Sequence, residues 1–182
     1  MTVIDVVLIA MVLILLAWRL STAAGRLDRT HVRRDRARRS LFLQLASRTS
    51  ATARLITAGA LSPVDAEALS REIEKVAFAS QDRLADYISA ESDLTQVLCE
   101  VLDSPEKIEE ISSNSEFHSI IVELSNSCKR VALARRFHND AVGAAQLLHK
   151  RKAVRYLRLA GNTPMPQPID MDDVVPVGLE DV

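Results

Sequence analysis

The chain has 182 residues, is nearly neutral with 23 Lys and Arg against 24 Asp and Glu, and is only 4% aromatic. Scarce glycine and an abundance of Ala, Leu, Arg and Glu disfavour a sheet and favour long helices. Two distant cysteines, Cys99 and Cys128, exclude a disulfide scaffold and suit free thiols in a reducing cytosol. The charge is segregated. Residues 19–54 hold ten Arg and two Asp, 62–127 fifteen acids and four bases, 128–161 nine bases and one acid, and the remainder five acids and no base. Consecutive blocks of opposite sign predict an acidic helix beside basic ones.

Residues 3–18 form one apolar run broken only by Asp5. At about 1.5 Å per residue, a run of about eighteen nearly matches the roughly 30 Å hydrocarbon core of a bilayer. Its positive charges all follow it: Arg19, Arg26, Arg29, Arg33, Arg34, Arg36, Arg38 and Arg39. A secretory signal peptide carries its charge before the apolar core, the reverse of this order. A soluble helix apolar on every face over 6–18 would need a larger core than this chain supplies. The expectation is a single-pass membrane anchor over 1–20, with the N-terminus outside and the rest in the cytoplasm. Arg26 to Arg39 then set topology or meet lipid headgroups. No aromatics are interleaved with them for base stacking, so nucleic acid is not an expected partner.

The first helix is predicted from about residue 3 to about 60, with a bend allowed at Gly25 and the apolar face returning at Leu41, Leu45, Thr52, Ile56 and Ala60. Ser62 and Pro63 open a second helix, which the stripe Ile73, Val76, Leu84, Ile88, Leu94, Leu98 carries to about Leu102. Ser104 and Pro105 start a short helix through about Ile111. Ser113 with Glu116 reads as a capping box for a last long helix, running to about Lys152 and on to Ala160, with Gly161 as its cap. Its apolar side holds Ile121, Leu124, Cys128, Val131, Ala134, His138, Ala141 and Val142. Pro164, Pro166, Pro168 and Pro176 among acids predict a disordered or extended tail over 162–182. The predicted fold is all-α: a transmembrane helix continuing into an antiparallel up-and-down bundle of three to four long helices over 21–161.

Little of this patterning carries chemistry. None of the four histidines has a Glu three residues before it, so the di-metal pattern of helical bundles is missing, and no metal or cofactor is expected. Phosphate-loop and nucleophile-elbow motifs are also missing, and the sequence predicts no enzyme. The densest polar cluster is Arg135, Arg136, Phe137, His138, Asn139 and Asp140 in mid-helix. As a site it would offer an imidazole, a carboxylate and two guanidiniums. Its pattern fits structure better: His138 falls on the apolar stripe, and Arg136 and Asp140 stand four apart as a surface pair.

The segment 130–142, ending Ala134-Arg135-Arg136-Phe137-His138-Asn139-Asp140-Ala141-Val142, resembles the most recognisable helix of LemA-like bacterial membrane proteins. The N-terminal span, the bases after it and Glu91-Ser92-Asp93-Leu94 agree in order, so the likeness covers most of 1–150. His138 stands where the family often has Tyr, and the Pro-acidic tail departs from the family pattern. The resemblance implies a short external N-terminus, one span and a cytosolic helical bundle, and adds no reaction. The functional expectation is a non-catalytic, membrane-tethered bundle that presents a helical face to an unknown protein partner. The alternatives are a metal-binding or catalytic bundle using Arg135 to Asp140, and an anionic-lipid or nucleic-acid binder through 26–39.

Overall fold

The computed structural model describes residues 3–79, 83–149 and 165–182. Over these the chain is all-α: α1 (Val3–Thr57), α2 (Pro63–Phe78), α3 (Leu84–Val101), α4 (Pro105–Ser112), α5 (Ser115–His149) and one 3-10 turn at Val177–Leu179. The expected continuation of the last helix to Ala160, capped by Gly161, lies outside the described residues.

α1 passes through Gly25 without interruption. It stops at Gly59, whose φ of 72° is a left-handed conformation that a side chain would disfavour. Ser62 then caps α2, its hydroxyl accepting from the Asp65 N–H, with Pro63 in the first helical position. Among the described residues no helix is long and apolar enough to cross a membrane. The described side chains run unbroken only from Val3 to Leu15; Leu16 and Leu20 lie outside them.

Two expectations about helix boundaries are corrected. The predicted second helix is two, α2 and α3, packed against each other. Ala79 leaves the helical region with ψ 124° and ends α2. The apolar stripe conceals the break, because Ala77 and Leu84 are seven apart and stay in helical phase across it. The Ser113–Glu116 capping box does not form either. Ser113 remains helical at the end of α4, and Asn114 caps α5 by accepting from the Glu116 N–H at 2.9 Å. The Asn side chain reaches the same orphan donors one residue later.

The chain divides into two compact units, Arg38–His138 with Ile169–Val182, and Met1–Ala37 with Asn139–Pro168. In the first, Leu41, Leu45 and Leu55 of α1 join Leu69 of α2, Leu94 and Leu98 of α3, and Ile121, Leu124 and Val131 of α5 in one core. Arg54 pairs with Glu123 and Arg130 donates to Gln44, so α1 and α5 run antiparallel. In the second unit Ala141, Val142 and Ala145 of α5 are buried, and Gln146 donates to the Pro166 carbonyl at 2.9 Å.

Of the two alternatives for the tail, disordered or extended, the described residues take the extended one. From Ile169 onward it is extended but ordered, burying Ile169, Met171 and Leu179 in the same core as the helices. Its composition suggested disorder, yet three apolar residues find a seat that local composition does not reveal.

Candidate functional site

The most unusual chemistry of the described chain lies under that tail. Arg48 of α1 is 1% exposed and Glu91 of α3 is 0% exposed. Their side chains meet at 2.8 Å. Arg48 also donates to the Thr95 hydroxyl at 2.7 Å and to the Glu91 carbonyl at 3.0 Å. Both charges sit on apolar stripes, Arg48 between Leu45 and Thr52, Glu91 between Ile88 and Leu94. Each helix therefore turns its charge into the core, and only the opposite sign on the facing helix makes that burial tolerable. Among the described residues Arg48 Nε and Glu91 Oε1 have no hydrogen-bond partner, which leaves the pair short of full satisfaction there.

Thr95 links the pair to the tail, its hydroxyl lying 3.0 Å from both the Glu91 and the Asp172 carbonyls. Beside it, Ser92 accepts from the Asp172 N–H at 3.1 Å. Cys99 approaches the Val174 carbonyl, and the Gly178 N–H donates to the Leu102 carbonyl at 3.1 Å. From the other side, Arg135 of α5 holds Asp173 with two parallel bonds of 2.6 and 2.9 Å. Ser125 donates to the Leu179 and Val182 carbonyls, and Lys129 to those of Glu180 and Val182. The strap thus lies between α3 and α5, parallel to the first and antiparallel to the second. Gly178 fits because a Cβ there would meet Ile108 and the Ser104 carbonyl at 2.7 Å.

The electrostatics favour rest over reactivity. Burial pushes the Cys128 thiol up to about 11, against a smaller opposing pull from Arg48. Burial also raises Cys99, with Asp172 adding to the effect. The Tyr87 phenol is raised by burial first and then by the Glu91 carboxylate. Arg135 is raised chiefly by its hydrogen bonds to Asp173. Thiols held protonated are poor nucleophiles.

The sequence-predicted cluster 134–142 does not converge. Ala134, His138, Ala141 and Val142 are buried, Asn139 is half-buried, and Arg136, Phe137 and Asp140 are exposed, Phe137 at 58%. Arg135 alone joins the site above, through a tail residue that the sequence reading set aside. Of the arginine run, Arg29, Arg33, Arg36, Arg38 and Arg39 are exposed, and Arg38 lies 5.4 Å from the centre of the Phe42 ring. Arg34 pairs with its neighbour Asp35. The Arg26 side chain lies outside the described residues.

Among the described residues no three His, Cys, Asp or Glu are placed to hold a metal ion. An open cleft of about 340 Å³ beside Ser62, Ile111 and Phe117 contains Asp65 and Lys107, already paired with each other at 3.2 Å.

Sequence reasoning missed Arg48, Thr95, Ser92, Asp172, Asp173 and Gly178. A signal existed for the pair: one unmatched charge on the apolar stripe of each of two helices, with opposite signs. The chain matches no protein-family model, no curated protein and no solved structure.

Proposed function

We propose that this protein is a membrane-tethered, non-catalytic helical bundle of the LemA-like type, an interaction or scaffold module at the cell envelope. The observation that carries the reading is the exposure of the start of α1. Twelve large apolar side chains from Val3 to Trp18, on every face of the helix, are each more than half exposed. Full burial of such a side chain is worth about 1.5–3 kcal/mol, so this surface in water forgoes roughly 15 kcal/mol. A bilayer relieves that cost at once, and a helix satisfies its backbone polar groups internally, as hydrocarbon requires. With Leu16 and Leu20 the sequence provides eighteen consecutive residues, 3–20, holding only Asp5 and Arg19 as charges.

The one-sided arginines support an external N-terminus and a cytoplasmic bundle. The unbroken α1 divides their roles. Arg19, Arg26 and Arg29 lie within about 17 Å of Trp18 along the helix axis, near enough for headgroups, whereas Arg36 stands about 27 Å away. Lipid charge is screened with a Debye length of roughly 8 Å, so its pull weakens steadily from Arg19 through Arg29 and is smaller still at Arg33 and Arg36.

The test is extraction and orientation together. Carbonate washing should leave the full chain in the membrane pellet, and a reporter fused after Val182 should be active only in the cytoplasm. Recovery in the wash removes the anchor; an active external reporter reverses the orientation.

A further inference from the structure

We propose that the groove between α3 and α5 is a binding site for extended acidic peptides, and that residues 169–182 occupy it as an intramolecular competitor. The inference goes beyond the anchor reading and does not rest on it.

The groove meets the strap as a receptor meets a ligand. Thr95, Cys99, Ser125 and Lys129 all approach main-chain carbonyls of the strap, and Ser92 accepts from a main-chain N–H. Such contacts recognise extended backbone whatever its side chains, as in strand-addition modes of peptide recognition. Selectivity comes from three further features. Arg135 reads a carboxylate through a planar two-bond fork, which Lys could not reproduce. Buried Ile169 and Met171 provide apolar anchors two residues apart, and Leu179 a third. Gly178 lies where its N–H bonds Leu102 and no Cβ fits.

The ligand class follows from these contacts. It is an extended segment with two apolar residues at alternate positions, an Asp two residues after the second, and a Gly-Leu pair five and six residues beyond that Asp. Lys129 and Arg135 make the α5 wall basic, which excludes a basic peptide and favours an acidic one. The strap's 3-10 turn packs against α4 and its apolar residues share the core, to which α1, α3 and α5 also contribute Leu45, Leu98 and Leu124. What the strap's departure exposes is Thr95, and behind it the Arg48–Glu91 pair. An occupied groove therefore keeps water from a buried charge, whichever extended segment occupies it.

The test uses full-length protein and a fluorescent synthetic peptide with the sequence of residues 165–182. In one chain the strap is disabled by Asp173→Lys with Leu179→Asp, leaving the groove residues untouched. This chain should bind the peptide saturably and at least tenfold more tightly than wild type, whose own strap competes. Adding Arg135→Gln, which removes the fork without offering the new lysine a counter-charge, should remove the binding. Absence of saturable binding to the disabled chain overturns the proposal. So does loss of helical circular dichroism in that chain, because the strap would then be an indispensable part of the fold rather than a ligand.

Discussion

Removing Glu91 alone should be among the most damaging single changes in the protein, and removing Arg48 with it should be far milder. In Glu91→Leu the Arg48 guanidinium, with a side chain 2% exposed, keeps its place on the inner face of α1 but loses its one charged partner among the described residues. It retains neutral acceptors at the Thr95 hydroxyl and the residue 91 carbonyl. Stranding one member of a buried pair costs about 3–5 kcal/mol, and for a chain of this size each kcal/mol lowers Tm by roughly 2–4 °C. The expected fall is on the order of 10 °C. In Arg48→Met with Glu91→Leu no charge is left to strand, both side chains fill comparable volume, and Thr95 keeps its bond to the Asp172 carbonyl. The double variant should lie within about 2 kcal/mol of wild type. Thermal and urea unfolding of all four proteins, followed by circular dichroism, closes the cycle. Additive single effects, with the double variant worst of all, would refute the argument and show that each residue stabilises the fold independently of the other's charge.

Three further outcomes are expected. Gly178→Ala should loosen the strap at a cost of about 1–3 kcal/mol, because the new Cβ meets the Ser104 carbonyl and Ile108 at 2.7 Å; faster proteolysis within 169–182 with the helices intact reports it, and unchanged protection sinks it. Cys128 has its thiol raised by burial from 9.0 to about 11, so its contribution is whole below about pH 9 and lost as pH rises through about 11; wild type should lose about 2–3 kcal/mol more than Cys128→Ala over that window, and parallel curves would contradict it. Charge reversal at Arg19, Arg26 and Arg29 should invert a larger fraction of the chains in the membrane than reversal at Arg36 and Arg39, as read by reporter activity; equal inversion by both sets would remove the distance argument.

The fold was legible wherever periodicity and punctuation agree. α1 and α4 follow from apolar spacing with Gly59 after the one and Ser104 and Pro105 before the other, and the buried side of α5 at Ile121, Leu124, Cys128, Val131, Ala134 and His138 falls where the stripe places it. The break between α2 and α3 was not legible, since no Gly or Pro marks it and the stripe keeps phase across it. The tail failed for a different reason. Composition predicts order from what a segment can bury by itself, whereas Ile169, Met171 and Leu179 are buried in a core shared with helices far earlier in the chain. Arg48 and Glu91 were readable in principle, but only by asking of each apolar stripe which member is charged and whether another helix supplies the opposite sign.

The charge blocks show the same distinction between sign and address. Their order predicts that the acids of 62–127 face the bases of 128–161. Among the described residues no Lys or Arg of α5 pairs with an acid of that block. Arg135 takes Asp173 and Lys129 takes two carbonyls, all on the strap, while Arg130 takes Gln44 of α1. Glu123, an acid of α5 itself, is paired with Arg54. The reason is geometric. Bases flanking the core stripe of α5 reach whatever lies against that flank, and the strap fills the space between α5 and α3. Glu106, Glu109 and Glu110 of α4 remain exposed. Of the five acids in the last twenty-one residues, Asp173 is the counter-charge of Arg135, held at both oxygens, and the charges of Asp170 and Asp172 add to the same effect. A charge block gives the sign of its partner; the packing of the surrounding backbone decides which segment of that sign arrives.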